Sequence, residues 1–165
     1  MKSCLFAGTF DPVTVGHEDV IKRCLALYDK VYVVVGVNPS KSPLFSLETR
    51  LEFLKKSFGS EKKVEIAFFD GLMVDFIKSH KIDEYVRGIR NLKDLEYEKE
   101  NEKKSCELYP ELKVKYLDAD KNFKTVSSEY IRERLKRNLS VSGLVPSAIE
   151  KDVVKKYAEI KKKKN

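Results

Sequence analysis

The sequence has no tryptophan, three cysteines, two histidines and no long apolar run. Cys4, Cys24 and Cys106 are far apart and odd in number, so we expect reduced thiols, with Cys4 and Cys24 in the core. The same spacing excludes a disulfide framework and a structural zinc site. Because no stretch reaches the roughly 18 apolar residues of a membrane span, and the N-terminus has no signal-peptide pattern, we expect a cytoplasmic protein without membrane contact.

Basic residues are in excess, with 33 Lys and Arg against 26 Asp and Glu, which gives a net charge of +7. Part of this excess lies in the tail at 161–165, which we expect to be solvated, and the remainder is mixed with acidic residues. The pattern does not favour nucleic acid, but a positive surface suits a small anionic substrate. The 165 residues and 42% hydrophobic content predict a single domain over 1–160 followed by the basic tail.

Apolar runs alternate with helical periodicities along the whole chain, which is typical of a parallel sheet covered by helices on both faces. Predicted strands cover 4–7, 31–35, 64–68, 84–87 and 114–117. Predicted helices begin near 16 and after Ser46, and then cover 72–80, 91–107, 127–136 and 146–160. The fold class is therefore predicted as α/β, with a doubly wound five-stranded parallel sheet.

The loop after the first strand is the first candidate site, because ligands of open α/β sheets bind beyond the carboxyl ends of the strands. Gly8 permits close backbone approach, and the following helix is expected to aim free N–H groups and its positive dipole end at an anion. His17 lies at the mouth of this helix and can donate a hydrogen bond to a developing negative oxygen. The alternative is a polar residue that merely begins a helix. Neither a Walker motif nor Gly-x-Gly-x-x-Gly is present.

Basic side chains follow two further strands. Lys41 comes after the second strand in the proline-flanked segment 39–43 and can position a phosphate, although a solvated lysine is the alternative. Arg87 and Arg90 flank Gly88, and we expect both guanidinium groups on a turn beyond the sheet edge, where they can grip phosphate oxygens. Two surface ion pairs are the alternative.

Two hydroxyl groups, those of Ser127 and Ser128, lie at the start of a predicted helix. They can cap that helix or hold triphosphate oxygens. Leu72 and Met73 open another predicted helix, where a core position and a ligand contact fit equally well.

These segments resemble the nucleotidyltransferase superfamily, which shares a His-x-Gly-His motif with class I aminoacyl-tRNA synthetases. The run 8–12 reads Gly-Thr-Phe-Asp-Pro and is followed by Thr14-x-Gly16-His17. A threonine in the first motif position is similar to phosphopantetheine adenylyltransferases in particular. The likeness recurs in Pro-Ser-Lys at 39–41, Arg-Gly-Ile-Arg at 87–90, the acidic run 94–98 and the paired serines.

The resemblance implies a Rossmann-like nucleotidyltransferase fold and transfer of AMP from ATP to 4'-phosphopantetheine, giving dephospho-coenzyme A and pyrophosphate in coenzyme A biosynthesis. It further implies Mg²⁺ bridged by the substrate phosphates rather than by dedicated metal-ligating residues, and a homo-oligomer, a hexamer in this family. The catalytic residues by this resemblance are His17, Lys41 and Arg90. The acceptor would bind Thr9, Lys41, Met73 and Arg87. ATP would contact Thr9, Phe10, His17, Gly88, Ile89, Arg90, Glu98, Phe123, Lys124, Thr125, Val126, Ser127, Ser128 and Glu129.

Some positions leave alternatives open. Glu129 replaces the family's third serine, and the run 128–132 that contains it looks more like nicotinamide mononucleotide adenylyltransferases. A nicotinate or nicotinamide mononucleotide adenylyltransferase is therefore an alternative, and a cytidylyltransferase is a weaker one. The segment 99–106 is more charged than the family's helix that lines the pantetheine site. This charge favours a further alternative, a non-catalytic nucleotide-binding paralogue that contacts partners through that helix.

Overall fold

A computed structural model describes residues 1–164. Its strands are Ser3–Gly8 (β1), Lys30–Gly36 (β2), Val64–Phe69 (β3), Glu84–Ile89 (β4) and Val114–Asp118 (β5). Its α-helices are Val15–Leu27 (α1), Leu47–Phe58 (α2), Met73–His80 (α3), Leu92–Leu108 (α4), Ser128–Lys136 (α5) and Glu150–Lys164 (α6), with short 3₁₀ turns at Lys121–Phe123 and Ser147–Ile149.

The five strands form one all-parallel sheet in the order β3-β2-β1-β4-β5. The chain builds outward from β1 in one direction and then returns to β1's other side with β4. The strand order therefore reverses between β1 and β4, and a crevice opens there at the carboxyl ends of the strands. The predicted doubly wound parallel α/β fold is confirmed.

β2 lies between two hydrophobic cores, and its successive side chains face one core or the other in turn. Val33 and Val35 face the larger core, which α1, α2, α5 and α6 cover, whereas Val34 faces a smaller core under α3 and α4. A strand buried on both faces needs continuous β-branched residues, and valines occupy four of the five positions at 31–35. Cys4 and Cys24 lie in the larger core as expected, and all three cysteines are free thiols.

The main differences from the predicted elements are at their ends. β4 continues to Ile89, so Arg87 lies inside a strand and not on a turn. The last helix begins at Glu150, after a 3₁₀ turn that follows Pro146, and continues to Lys164. The predicted basic tail is therefore helical over 161–164, where its lysines are exposed.

Two helices show how charge is distributed over this fold. α2 begins after Ser46 as predicted, and it buries the charged side chain of Arg50 together with Phe53. α4 has no fully buried residue, as the charge of its middle predicts. Across residues 1–164, no helix is both long enough and apolar enough to cross a membrane.

Candidate functional site

Three adjoining cavities lie along the carboxyl edge of the sheet. The central cavity, about 480 Å³, lies between β1, β4 and the start of α5. A second, about 450 Å³, lies beyond β1 and β2 and is called the β2 cavity, and a third, about 360 Å³, lies beneath α4 and is called the α4 cavity. Thr9 lines the central and β2 cavities, and Arg87 lines all three. The site is therefore a junction of separate compartments.

His17 presents a neutral hydrogen-bond donor to the central cavity. The backbone N–H of Thr14 donates to His17 Nδ1 over 3.0 Å, which leaves the ring proton on Nε2. Burial, followed by the positive charge of Arg90, lowers the pKa of His17 to about 4. The ring packs edge-on against Phe10, with 4.9 Å between centroids. At neutral pH the imidazole is therefore uncharged and fixed in one tautomer.

The amino end of α1 differs from its prediction. The N–H groups of Gly16 and His17 donate to Thr14 Oγ1 over 3.1 and 3.2 Å, and that of Val15 donates to the carbonyl of Leu144. The expected free N–H groups are thus already bonded, because Thr14 caps the helix. The features of this helix end that remain for an anion are the helix dipole and the His17 ring, and not a row of free amides.

The amino end of α5 retains donors that face the central cavity. Ser127 Oγ accepts a hydrogen bond from the N–H of Tyr130, and its own O–H is still available to donate. Ser128 donates its hydroxyl proton to the carbonyl of Pro12 over 2.7 Å, so this side chain fastens α5 to the first loop. The N–H groups of Ser128 and Glu129, in the first turn, have no intrahelical acceptor. This helix end is the better anion site.

Arg87 is held in place by its neighbours. Its Nε and Nη2 donate to the carboxylate of Glu98 over 2.7 and 2.8 Å, and its Nη1 donates to the hydroxyl of Tyr85. Two of its five N–H bonds remain free for a ligand. Gly88 lines the central cavity and also lies close to α1, because an added Cβ would lie 3.3 Å from Val20.

Two further arginines border the central cavity. Arg90 is partly exposed and lines the central cavity. Its Nε also donates to Asp94 over 3.1 Å, so Arg90 forms an ion pair and lies at the site. Arg132 donates to the carbonyl of Asp11 over 2.9 Å and lines the same cavity. Arg132 was not among the predicted site residues, although its position four residues after Ser128 places it one turn along the same helix face.

A buried polar network fixes the first loop. Both carboxylate oxygens of Asp11 accept backbone N–H bonds, from Leu44 and Phe45, over 2.8 and 2.9 Å. Arg50 donates to the carbonyls of Phe45 and Thr9, each over 3.0 Å. These bonds connect the first loop to the loop before α2. The sequence pattern gave no signal for Arg50, because the contact spans 41 residues.

The same loop contains one residue in a left-handed conformation. Phe10 has φ of 50°, which is uncommon for a residue other than glycine. Its ring is 2% exposed and lies under His17, so Phe10 supports the site through packing.

Most of the predicted site residues do come together. Those lining the central cavity are Thr9, Phe10, His17, Arg87, Gly88, Ile89, Arg90, Glu98, Phe123, Val126, Ser127, Ser128 and Glu129. Met73 lines the β2 and α4 cavities together with Arg87. Lys41, Lys124 and Thr125 are exposed and line none of the three cavities. Lys41 lies two residues after Pro39, which lines the β2 cavity together with Asn38.

Carboxylates at the central cavity are few. Asp94 and Glu98 both line it, but each is paired with an arginine, whereas Glu129 forms no ion pair within residues 1–164. No group of three or more His, Cys, Asp or Glu side chains suited to a metal is present in that range. A dedicated protein cage for a metal ion is therefore absent from the described residues.

The fold and this junction of cavities are those of a nucleotidyltransferase of the cytidylyltransferase-like family, whose family model matches residues 5–134. The chain is 41% identical over 152 residues to the phosphopantetheine adenylyltransferase of Campylobacter concisus, covering 92% of this chain and 97% of that relative. It is 38% identical over 157 residues to that of Dictyoglomus turgidum, covering 95% and 98%. The chain therefore belongs to the phosphopantetheine adenylyltransferase family.

Among solved structures, a similar one is a bifunctional nicotinamide mononucleotide adenylyltransferase/ADP ribose pyrophosphatase from Francisella tularensis, complexed with AMP and a manganese ion. Its TM-score is 0.65 at 19% sequence identity, over 88% of this chain and 44% of that chain. This likeness supports the fold alone. The present chain spans less than half of that two-function protein.

Proposed function

We propose that this protein transfers AMP from ATP to 4'-phosphopantetheine, forming dephospho-coenzyme A and pyrophosphate in coenzyme A biosynthesis. The relatives' shared name supports the acceptor. The observation that carries the proposal is the junction itself, where the central cavity meets the β2 cavity at Thr9 and Arg87 beside the neutral ring of His17. Two phosphate-bearing substrates can meet there from separate compartments.

The reaction needs positioning more than proton transfer. An oxygen of the acceptor phosphate attacks the α-phosphorus of ATP in line, a new P–O bond forms, and the bond from the α-phosphorus to the bridging oxygen of pyrophosphate breaks. A phosphate monoester is already anionic near neutral pH, so the attacking oxygen requires no general base. Catalysis can therefore rest on orientation and on stabilisation of the charge that develops.

Each side of the junction supplies one of these functions. His17 Nε2–H donates to an α-phosphate oxygen whose charge grows in the transition state. Arg90 and the free donors of Ser127 and the first turn of α5 hold the β- and γ-phosphates. Thr9 and Arg87 orient the attacking phosphate. Lys41 lies on the loop that borders the β2 cavity, and we assign it to the same phosphate.

Mg²⁺ fits this arrangement as an ion bound mainly by the substrate phosphates and water. Mg²⁺ keeps several water ligands and is often bound through one or two carboxylates plus substrate phosphates. Glu129 is the carboxylate at the central cavity that is not already in an ion pair within residues 1–164. When bound, the ion would neutralise phosphate charge as pyrophosphate departs.

We further propose that the protein acts in the cytoplasm as a homo-oligomer, a hexamer as its family resemblance implies. Exposed apolar side chains support self-association, since Phe68, Leu72 and Leu108 are 54%, 57% and 53% exposed on this chain. Sedimentation analysis tests the assembly directly: a species six times the chain mass supports it, and a monomer at micromolar concentration contradicts it.

Pyrophosphate release from ATP and Mg²⁺ tests the proposed reaction. Parallel reactions contain 4'-phosphopantetheine, nicotinamide mononucleotide or nicotinate mononucleotide, and each is repeated with the metal chelated. We expect metal-dependent release with phosphopantetheine only. Release with a mononucleotide instead would assign the protein to the alternative reaction, and ATP binding without release would indicate a non-catalytic paralogue.

A further inference from the structure

Tyr85 lies directly beneath the guanidinium of Arg87. The two residues are two positions apart on β4, so their side chains leave the same face of the sheet. The Arg87 Cζ atom is 5.0 Å from the centroid of the Tyr85 ring, and Arg87 Nη1 donates to the Tyr85 hydroxyl. Tyr85 is 8% exposed and lines the β2 and α4 cavities. It is therefore a buried residue with its polar end at the site.

The hydrogen bonds of Arg87 show what Tyr85 does to it. Glu98 accepts from Nε and Nη2, and Tyr85 accepts one bond from Nη1. One N–H remains on each terminal nitrogen, so two donors of the guanidinium are left for phosphate oxygens. The carboxylate alone would fix one edge of the guanidinium. The ring of Tyr85 supports one face of the guanidinium, and its hydroxyl accepts from Nη1, which Glu98 does not contact.

Tyr85 also has a proton of its own. Its oxygen accepts from Arg87, and within residues 1–164 its O–H has no acceptor. Burial, the largest cause, raises the pKa of Tyr85, so the hydroxyl stays protonated at neutral pH. A tyrosine O–H that is buried, protonated and without an acceptor, beside an arginine with two free N–H bonds, can join it in binding an anion.

We propose that Tyr85 is a further acceptor-site residue, which orients Arg87 and donates its O–H to the same acceptor phosphate. The inference rests on the proposed function, in which that phosphate binds Arg87. It adds Tyr85 to the acceptor-binding residues that the family resemblance implies.

Substitution by phenylalanine tests the hydroxyl, because the ring under Arg87 is kept. For Tyr85→Phe we expect the KM for 4'-phosphopantetheine to rise about tenfold, the scale for one hydrogen bond to a charged group, with the KM for ATP within twofold of wild type. Tyr85→Leu also removes the ring and should raise the acceptor KM further. The matched control is Tyr28→Phe, which removes a tyrosine hydroxyl bonded to Glu84 away from the three cavities. Equal kinetics for Tyr85→Phe and Tyr28→Phe would overturn the proposal, as would parallel rises in both KM values.

Failure of the proposed function is distinguishable from failure of this inference. If the wild-type protein releases no pyrophosphate with phosphopantetheine, the proposed function fails, and binding of inorganic phosphate is then measured by calorimetry. Weaker binding by Tyr85→Phe than by wild type and Tyr28→Phe supports the role of Tyr85. Equal binding by all three proteins contradicts it.

Discussion

Replacing His17 by alanine removes the donor that faces the reacting phosphate. Because Nδ1 is occupied by the Thr14 N–H, the only ring proton available to a substrate is on Nε2. The loss of one such preorganised donor lowers kcat by about 100-fold to 1,000-fold. We therefore expect His17→Ala to lower kcat by about 100-fold or more, with a much smaller change in the KM for ATP.

Continuous pyrophosphate release with ATP, Mg²⁺ and 4'-phosphopantetheine measures this loss. The matched control is His80→Ala, because the chain has two histidines and His80 stacks on Phe76 in α3, lining none of the three cavities. His80→Ala should retain a kcat close to wild type. A kcat for His17→Ala as high as that of this control would refute the role of His17.

The pH dependence of the wild-type reaction tests the protonation state of the same ring. With its pKa lowered to about 4, His17 is neutral throughout the usual assay range, and its donor is present at every pH in that range. Near pH 6.5, the ordinary pKa of histidine, the kcat of the wild-type protein should therefore show no change with pH that is absent from His17→Ala. Such a change, with kcat rising toward acid, would show that the charged imidazolium is the active form.

Two further predictions concern stability. Asp11→Asn places an amide N–H against a backbone donor and should destabilise the protein by about 1–3 kcal/mol, which lowers Tm by roughly 3–10 °C. Calorimetry measures this shift, and a shift no larger than that of the exposed Asp29→Asn would contradict the role of the buried carboxylate. The pKa of His17 is about 4 in the folded protein and ordinarily 6.5, so the unfolded chain binds more protons than the folded protein between these pH values. The stability contributed by neutral His17 is therefore lost as pH falls through this range. The Tm difference between wild type and His17→Ala should therefore narrow from pH 7 to pH 4, and a constant difference would contradict the assignment.

The sequence predicted the sheet because its signals are local. β-branched runs such as Val31 to Val35 and the caps at Ser46 and Ser127 depend on residues only a few positions apart. The first loop was located for a related reason, since the end of β1 must open at the carboxyl edge of a parallel sheet. Most of the residues predicted to contact ATP followed from that placement and from the family motifs.

Some polar contacts were less predictable, either because they join distant segments or because they depend on where a helix or strand begins or ends. Arg50 reads as a surface residue of an amphipathic helix, yet it is buried by bonds to carbonyls of two loops. Free N–H groups were expected at the start of α1, but Thr14, in the first position of the motif, accepts hydrogen bonds from two of them. Arg87 was expected on a turn, but β4 extends past it, which is what places Tyr85 beneath it. Pairing across a sheet and loop-to-loop hydrogen bonds leave no periodic trace in a sequence.

Direct competition between acceptors tests the central claim of adenylyl transfer to phosphopantetheine. The protein is incubated with ATP, Mg²⁺ and equal concentrations of 4'-phosphopantetheine, nicotinamide mononucleotide and nicotinate mononucleotide, and the products are identified by mass spectrometry. Our account predicts dephospho-coenzyme A as the dominant product, formed in equal amount with pyrophosphate. A dinucleotide made from either mononucleotide as the dominant product, or the absence of any adenylylated product, would contradict it.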